Sequence, residues 1–280
     1  MRTINSDIIT DTVRQMCTEA NQILPPDVRR AIDAALAAEK SPEGKNVLSD
    51  IIKNYKIAEE EKMPVCQDTG MAVFFVEIGN DVHIEGKPLN EAINDGVAKG
   101  YTDGFLRKSI VSDPIERVNT GDNTPAVVHI SFVRGDKLKL TIAPKGFGSE
   151  NMSAIKMLAP SAGIDGVKDF VIKTVSDAGP NPCPPIVVGV GIGGNFESCA
   201  CLAKRALTLE LDVPNPNPKY AALEEELLKR INSLGIGPQG FGGTATALAV
   251  KVLAAPTHIA GLPVAVNISC HVTRHLTKII

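Results

Sequence analysis

The chain has 280 residues, enough to bury a large core, and its formal net charge of −3 is unlike the basic balance of proteins that bind nucleic acid or membrane surfaces. Hydrophobic residues make up 44% of the sequence, as in ordinary globular proteins, and there is no Trp, with only three Tyr and eight Phe available to stack on bases. The N-terminus lacks a secretion-signal pattern, and no apolar run reaches the roughly 18 residues that span a membrane. We therefore expect a cytoplasmic protein with neither nucleic acid nor membrane as a partner.

Apolar residues recur at helical spacing through the first 58 residues. Val13 and Met16 lie on one face of the first predicted helix, and Cys17 beside them is interpreted as a core residue. Pro26 suits the first turn of a second helix, and a third is predicted over 46–58. The sequence therefore predicts a helical N-terminal region.

Strand patterns follow this helical region. The run Met71-Ala-Val-Phe-Phe-Val76 predicts a buried strand, and a helix is predicted over 89–104. Residues 127–133 and 137–142 then alternate in polarity. Gly135-Asp136 stands between these two stretches, which predicts that they form a β-hairpin.

The second half of the chain alternates between the two kinds of pattern. Helices are predicted over Met152–Leu158, 164–178, 195–206 and 221–234, and strands over 186–190 and 244–253.

A glycine pattern at Gly189, Gly191 and Gly194 fits the dinucleotide fingerprint, and it follows a predicted strand and precedes a predicted helix. Residues 207–212 could supply the next strand of such a site. A lone pattern of this kind is weak, and it normally occupies the first turn of its domain rather than a position so far along the chain. The two cysteines of the following helix, Cys199 and Cys201, cannot share one helix face at a spacing of two and are interpreted as packing residues.

The stretch Met63-Pro-Val-Cys66-Gln-Asp-Thr-Gly70 precedes the first buried strand, and we call it the Cys66 loop. Pro64 and Gly70 predict a loop, and loops held by rigid elements are where functional residues concentrate. Cys66 is a candidate ligand or nucleophile, and the amide of Gln67 and carboxylate of Asp68 lie beside it. A buried structural cysteine in a turn is the alternative.

Cys66, Cys183 and Cys270 share one kind of setting, in predicted loops at strand ends. Cysteines in a reducing compartment are structural, catalytic or metal-binding rather than disulfide-bonded. Three thiolates from rigid loops would hold three corners of a cubane iron–sulfur cluster and leave the fourth iron open as a Lewis acid. Spacing alone leaves another option open, which is a zinc site using Cys270 with His271 or His275.

The stretch Lys145-Gly-Phe-Gly-Ser-Glu-Asn151 connects a predicted strand to a predicted helix. Glycines before a helix N-terminus offer backbone N–H groups to an anion, supported by the helix dipole. The alternative is a plain turn in which Ser149 caps the helix.

Several stretches together resemble a single family. They are Met-Pro-Val-Cys66-Gln-Asp-Thr-Gly, Lys145-Gly-Phe-Gly-Ser-Glu-Asn, Asn-Pro-Cys183-Pro-Pro, Gly-Ile-Gly-Gly-Asn, Leu-Gly-Ile-Gly-Pro-Gln-Gly-Phe-Gly-Gly and Pro-Thr-His258-Ile-Ala-Gly-Leu-Pro-Val-Ala-Val-Asn-Ile-Ser-Cys270-His. In order, and over nearly the whole chain, they are similar to the alpha subunit or N-terminal domain of the class I, iron–sulfur-dependent fumarate hydratases and L(+)-tartrate dehydratases. The resemblance argues against the nucleotide hypothesis, because this family has the same glycines without using a nicotinamide cofactor.

The resemblance implies a [4Fe–4S] cluster on Cys66, Cys183 and Cys270, with one iron contacting the substrate. Together with the chemistry of the residue types, it points to the remaining site residues, namely Asp68 and His258 as catalytic proton carriers and Gln67, Arg107, Gly146 and Gly148 as substrate-binding residues. The alternatives are a surface ion pair for Arg107 and a turn cap for Asp68. The residue types suit these roles. An arginine can grip a carboxylate through two parallel hydrogen bonds, and a carboxylate or imidazole can move a proton.

The hypothesis is therefore the alpha subunit of a two-subunit [4Fe–4S]-dependent fumarate hydratase, which hydrates fumarate reversibly to L-malate. An L(+)-tartrate dehydratase alpha subunit is the alternative, and a non-catalytic zinc- or nucleotide-binding protein is the alternative from another class. One-chain members of the family continue into a beta domain that has no counterpart here, so we expect a separate beta subunit, a heterotetramer of two alpha and two beta chains, and a small dicarboxylate substrate. Residues 1–280 are expected to form a single catalytic domain of mixed α/β (α+β) class, with two lobes around an iron–sulfur cleft.

Overall fold

A computed structural model describes all 280 residues, which divide into two units that are each assembled from separate stretches of sequence. The first unit comprises Met1–Pro25, Tyr55–Phe147 and Arg274–Ile280, and the second comprises Pro26–Asn54 and Gly148–Thr273. Both units combine helices with a mixed four-stranded sheet, which confirms the predicted mixed α/β class.

The helices are α1 (Ser6–Gln22), α2 (Pro26–Ala38), α3 (Pro42–Glu60), α4 (Leu89–Asp103), α5 (Phe147–Glu150), α6 (Gly163–Ala178), α7 (Phe196–Ala206) and α8 (Pro218–Asn232). The strands are β1 (Arg2–Asn5), β2 (Met71–Gly79), β3 (Val82–Glu85), β4 (Val127–Val133), β5 (Leu138–Lys145), β6 (Ala154–Leu158), β7 (Ile186–Gly194), β8 (Ala247–Thr257), β9 (Leu262–Ser269) and β10 (Leu276–Ile279). The helical N-terminal region is confirmed, as are the predicted helices that correspond to α4, α6, α7 and α8.

The core of the first unit lies between its sheet and the helices α1 and α4. The sheet has the strand order β10-β5-β2-β4, and β2 is buried on both faces from Ala72 to Val76. Helices α1 and α4 approach closely because two glycines of α4 face α1. A Cβ at Gly96 would lie 2.6 Å from the Val13 side chain, and one at Gly100 would lie 2.8 Å from the Arg14 carbonyl oxygen.

The predicted hairpin of β4 and β5 is wrong, because β2 lies between these two strands. β2 pairs parallel with β4 (Phe75 opposite His129) and antiparallel with β5 (Phe75 opposite Thr141). A strand that is apolar on both faces is typical of the interior of a sheet, where it has a hydrogen-bonded neighbour on each side. β2 occupies such a position, between β4 and β5. Gly135 still lies in a turn, where its amide donates to Asn80 Oδ1 at 2.9 Å.

The second unit has a sheet of order β6-β9-β7-β8, in which β9 and β7 are antiparallel and β7 and β8 are parallel. The glycines that resemble a dinucleotide fingerprint lie inside β7 and face α7. A Cβ at Gly189 would lie 2.1 Å from the Ala203 carbonyl oxygen, and one at Gly191 would lie 2.2 Å from the Cys199 carbonyl oxygen. These glycines are therefore explained by the close packing of a helix on a strand. Residues 207–212 form turns rather than a strand.

The helix predicted over Met152–Leu158 is wrong, because residues 154–158 form the edge strand β6. This strand pairs antiparallel with β9, from Ala154 opposite Val266 to Leu158 opposite Leu262. A short apolar run fits a helix or a strand equally well from its pattern, and here the neighbouring strand β9 decides. The helix that begins directly after Gly146 is therefore only the single turn α5, which includes Gly148. Such a short helix has a smaller dipole to support anion binding.

β8 begins at Ala247 rather than at the predicted Thr244, because the preceding amides bind a buried carboxylate. Glu39 is 2% exposed and accepts hydrogen bonds from the backbone amides of Lys40, Ser41, Thr244 and Ala245. Burial raises the pKa of Glu39, but these hydrogen bonds outweigh burial and lower it from 4.5 to about 2. Glu39 thus holds the end of the glycine-rich loop that precedes β8.

Replacing Glu39 with Gln is expected to destabilise the full chain by about 3 kcal/mol at pH 7, because each unit of pKa shift corresponds to roughly 1.4 kcal/mol. Since the folded-state pKa is depressed, the stabilisation is fully present above pH 4.5 and disappears as the pH falls toward 2. Denaturant unfolding at pH 7 and across this acid range measures both effects. Asp50→Asn, which changes an exposed carboxylate paired with Lys53, is the control and should leave stability nearly unchanged. Equal stability of Glu39→Gln and wild type at pH 7 would contradict the assignment.

Candidate functional site

The Cys66 loop lies between α3 and β2, and its last residues are held rigidly. The Tyr101 hydroxyl donates to the carbonyl oxygens of Thr69 and Gly70 at 2.9 and 3.0 Å, and Asn123 Nδ2 donates to the Gly70 carbonyl at 3.1 Å. Gly70 has φ +75°, and a Cβ there would lie 2.6 Å from the backbone of Lys145. Burial raises the pKa of Tyr101, which keeps its hydroxyl protonated as a donor.

Asp68 connects the Cys66 loop to the glycines that follow β5. Its Oδ1 accepts from the Gly70 amide at 3.0 Å, and its Oδ2 accepts from the Phe147 amide at 3.0 Å. A Cβ at Gly146 would lie 3.0 Å from Asp68 Oδ2. The structure therefore brings together two of the predicted site residues, Asp68 and Gly146, and it gives the Asp68 carboxylate two backbone donors.

Arg107 is attached to the same loop through its backbone. Its amide donates to Thr69 Oγ1 at 2.9 Å, while its side chain is exposed. The Gln67 side chain is also exposed, and Cys66 between Val65 and Gln67 is half-buried. The Gln67 amide of the Cys66 loop and the Arg107 guanidinium beside it are therefore both exposed. Buried hydrogen bonds hold the backbone beneath them in place.

In the second unit, Cys183 and Cys270 lie next to the ends of two neighbouring strands, on the same side of the sheet's strand ends. Cys183 precedes β7 and Cys270 directly follows β9, and these strands are antiparallel neighbours with Val187 opposite Ser269. The backbone amide and Nδ1 of His271 donate to the Cys183 carbonyl oxygen at 3.4 and 3.0 Å. Cys183 is exposed and has φ +55°, a conformation that costs energy for a residue other than glycine and that is common at functional sites.

His258 lies in the exposed turn that connects β8 to β9. Its Nδ1 accepts a hydrogen bond from the Ala260 amide at 3.1 Å. A neutral imidazole has one accepting and one donating nitrogen, so this contact places the ring proton on Nε2. The contacts of His258 are with its own turn rather than with the other predicted site residues.

A polar cluster in the second unit holds the turn that contains Gly148 against β9. Glu150 forms a short ion pair with Lys204, and it accepts a hydrogen bond from Asn267 Nδ2 at 2.9 Å. Asn267 Nδ2 also lies 3.1 Å from Ser153 Oγ, which accepts from the Ile268 amide at 3.0 Å. Sequence reasoning missed this cluster, although Glu150 lies within a stretch that it had singled out.

The six cysteines separate into two chemical groups, and none of them forms a disulfide bond. Burial raises the pKa of the Cys17 thiol, raises that of Cys199 to about 11, and raises that of Cys201. The Cys199 thiol donates to the Gly191 carbonyl at 3.3 Å. These three cysteines are neutral thiols at neutral pH, which agrees with their interpretation as packing residues.

The other three cysteines, Cys66, Cys183 and Cys270, lie in loops as predicted, and the structure shows that they are half-buried or exposed. Thiols of this kind fit the soft ligand set that an iron–sulfur cluster requires. Cys66 belongs to the first unit, and Cys183 and Cys270 belong to the second. The structure contains no group of three His, Cys, Asp or Glu side chains placed to hold a metal ion. The combination of these three thiols into one site is therefore a proposal.

No helix combines the length and the apolar character that crossing a membrane requires. Comparison with known proteins places the chain among similar sequences along nearly its whole length. The family model for fumarate hydratase (Fumerase) matches residues 10–278. A protein of Methanocaldococcus jannaschii, provisionally named L(+)-tartrate dehydratase subunit alpha, is 44% identical over 277 residues that cover 96% of both chains. The L(+)-tartrate dehydratase subunit alpha of Escherichia coli O157:H7 is 32% identical over 276 residues, which cover 97% of this chain and 90% of the relative.

Proposed function

This chain belongs to the fumarate hydratase family and is a hydro-lyase, and we propose that it is the alpha subunit of a two-subunit L(+)-tartrate dehydratase. The names of the relatives carry this proposal, because both are tartrate dehydratase alpha subunits by name and match the chain almost from end to end. Fumarate hydration, the main hypothesis from the sequence motifs, becomes the second candidate. It is supported by the name of the matching family model.

Cys66, Cys183 and Cys270 would hold a [4Fe–4S] cluster. Such a cluster, when bound, supplies a Lewis-acidic iron that binds oxygen atoms of a hydroxy acid. The proposal is supported by the accessible loop positions of these three thiols and by the nearness of Cys183 to the end of β9.

The other residues of this chain would bind and orient a dicarboxylate. Arg107, with an exposed side chain on an anchored backbone, can grip one carboxylate through two parallel hydrogen bonds. Gln67 and the amides of Gly146 and Gly148 can donate to carboxylate oxygens without adding charge. Asp68 ties the Cys66 loop to Gly146 and Phe147 within the first unit, which supports a common role for Gln67 and Gly146.

Elimination of water from a hydroxy acid removes a proton from one carbon and a hydroxyl group from its neighbour. Asp68 and His258 are the proposed proton carriers. The Ala260 amide occupies His258 Nδ1, so Nε2 is the nitrogen proposed to face the substrate. Each oxygen of the Asp68 carboxylate accepts one backbone hydrogen bond and keeps a second lone pair that a proton can occupy.

A beta subunit would supply the rest of the site, in a cytoplasmic complex of two alpha and two beta chains. The subunit names of the relatives support a second type of chain. A dicarboxylate has two charged ends, and the proposed residues of this chain include a cation for only one of them, so a partner that contributes further cations fits the chemistry of the substrate.

The function is tested by preparing the complex with its beta chain without oxygen and measuring turnover of L(+)-tartrate, fumarate and L-malate, together with iron and acid-labile sulfide. We expect iron and sulfide in near-equal amounts and the highest kcat/KM for L(+)-tartrate. Turnover of fumarate and malate without turnover of tartrate would support the second candidate. Zinc without sulfide, and no turnover, would support a non-catalytic zinc-binding protein.

Replacing Arg107 with Lys is expected to lower kcat/KM by about 10- to 100-fold, since one charge-assisted hydrogen bond is lost and is worth roughly 1.5–3 kcal/mol. The visible absorbance of the cluster should not change. Arg117→Lys is a matched control, because Arg117 is an exposed arginine of the same unit that lies outside the motifs. Unchanged kinetics of Arg107→Lys would show that Arg107 is an ordinary surface residue.

A further inference from the structure

Arg274 is a buried arginine whose hydrogen bonds go to uncharged acceptors. It is 4% exposed and lies four positions after Cys270, just before β10. Its Nη1 donates to Asn21 Oδ1 at 2.8 Å, and its Nη2 donates to the Asp68 carbonyl oxygen at 2.8 Å. Burying a guanidinium is costly, and its planar shape sets both the distance and the angle of the two groups it binds. The contact with Asp68 reaches the Cys66 loop directly.

Asn21 extends this contact to the other side of Cys66. Asn21 is fully buried in the last turn of α1, where helix carbonyls have no partner within the helix. Its backbone carbonyl oxygen accepts from the Val65 amide at 2.9 Å, and its side-chain Nδ2 donates to the Cys17 backbone carbonyl at 2.8 Å. Arg274 therefore holds Asp68 directly and Val65 through Asn21, and Cys66 lies between these two anchored residues.

We propose that Arg274 and Asn21 are positioning residues that fix the Cys66 loop for binding of the iron–sulfur cluster. The inference rests on the proposed function, in which Cys66 and Cys270 are ligands of one cluster. All of the contacts that carry the inference lie within the first unit, and they hold the residues on both sides of Cys66. Groups behind metal ligands orient them, and their loss weakens metal binding by about 10- to 100-fold.

The test compares four variants of the alpha chain, each assembled with the beta chain without oxygen. Arg274→Gln removes the guanidinium that binds Asp68 and Asn21, and Asn21→Leu removes the Oδ1 that accepts from Arg274 while keeping the backbone bond to Val65. The rate at which an iron chelator strips the cluster is expected to rise by about 10- to 100-fold in both variants. Asn21→Asp keeps an oxygen that accepts from Arg274 but loses the donation to the Cys17 carbonyl, so it should lose iron more slowly than Asn21→Leu. Thr10→Val is the control, because it removes a buried hydrogen bond from Thr10 Oγ1 to the Ala92 carbonyl in the same unit.

Thermal unfolding and amide hydrogen exchange of the cluster-free chain separate positioning from general damage. Thr10→Val should lower the unfolding temperature without changing iron loss, whereas Asn21→Leu should speed exchange within 65–70 and also speed iron loss. Equal iron loss in Asn21→Leu and Asn21→Asp, or faster loss in Thr10→Val, would overturn the proposal. If wild type holds no iron and sulfide, the proposed function fails. Exchange within 65–70 then still decides whether Arg274 and Asn21 hold the loop.

Discussion

Replacement of Cys66, Cys183 or Cys270 with Ser is expected to abolish the iron–sulfur cluster or reduce it to a trace, with loss of turnover. A serine hydroxyl is a poor substitute for a thiolate, which is the soft ligand that these clusters require. Protein prepared without oxygen should be brown for wild type and nearly colourless for each variant. Iron, acid-labile sulfide and visible absorbance measure the effect.

The other three cysteines supply matched controls within the same chain. Cys17→Ala, Cys199→Ala and Cys201→Ala should keep the cluster, because burial holds these thiols neutral and Cys199 donates to a backbone carbonyl. Some loss of stability is expected at Cys17 and Cys199, which are fully buried. Loss of iron from Cys199→Ala with retention in Cys183→Ser would show that the ligand assignment is wrong.

The alpha chain by itself is expected to show negligible turnover, and activity should appear when the beta chain is added without oxygen. Of the residues proposed to bind substrate, only Arg107 is a cation. Lys145 is buried and donates to the Gly146 carbonyl, and Arg274 is engaged by Asn21 and Asp68. Each missing charged contact is worth roughly 10- to 100-fold in kcat/KM, so the loss of several multiplies to near-complete inactivity.

This expectation is measured by titrating purified beta chain into alpha chain at constant cluster content. Turnover should rise with beta and reach a plateau when the two chains are present in equal amounts. An alpha chain reconstituted with its cluster and then assayed alone is the control. Robust turnover by that sample, with contaminating beta excluded by mass spectrometry, would contradict the proposal that the site is completed by a second subunit.

Local patterns predicted most of the helices and the buried strand β2. Leu89, Ile93, Val97 and Tyr101 lie on one face of α4. An apolar helix face of this kind can be predicted from the spacing of residues within a short stretch of sequence. Which strands pair with one another cannot be predicted from such local spacing. Nothing within 127–142 indicates that β2 inserts between β4 and β5. Residues 154–158 form a strand because they pair with β9, which lies more than a hundred residues further along the chain.

By itself, the sequence determined the family and singled out Cys66, Asp68, Arg107 and Gly146, because these residues lie in short contiguous stretches. Only the tertiary structure showed that Asp68 binds the amide beyond Gly146, and that Arg274 and Asn21 stand behind the Cys66 loop. Arg274 lies 253 positions from Asn21 and 206 from Asp68. Hydrogen bonds between groups so distant along the chain leave no periodic pattern, because burial of a polar side chain depends on which segments fold over it.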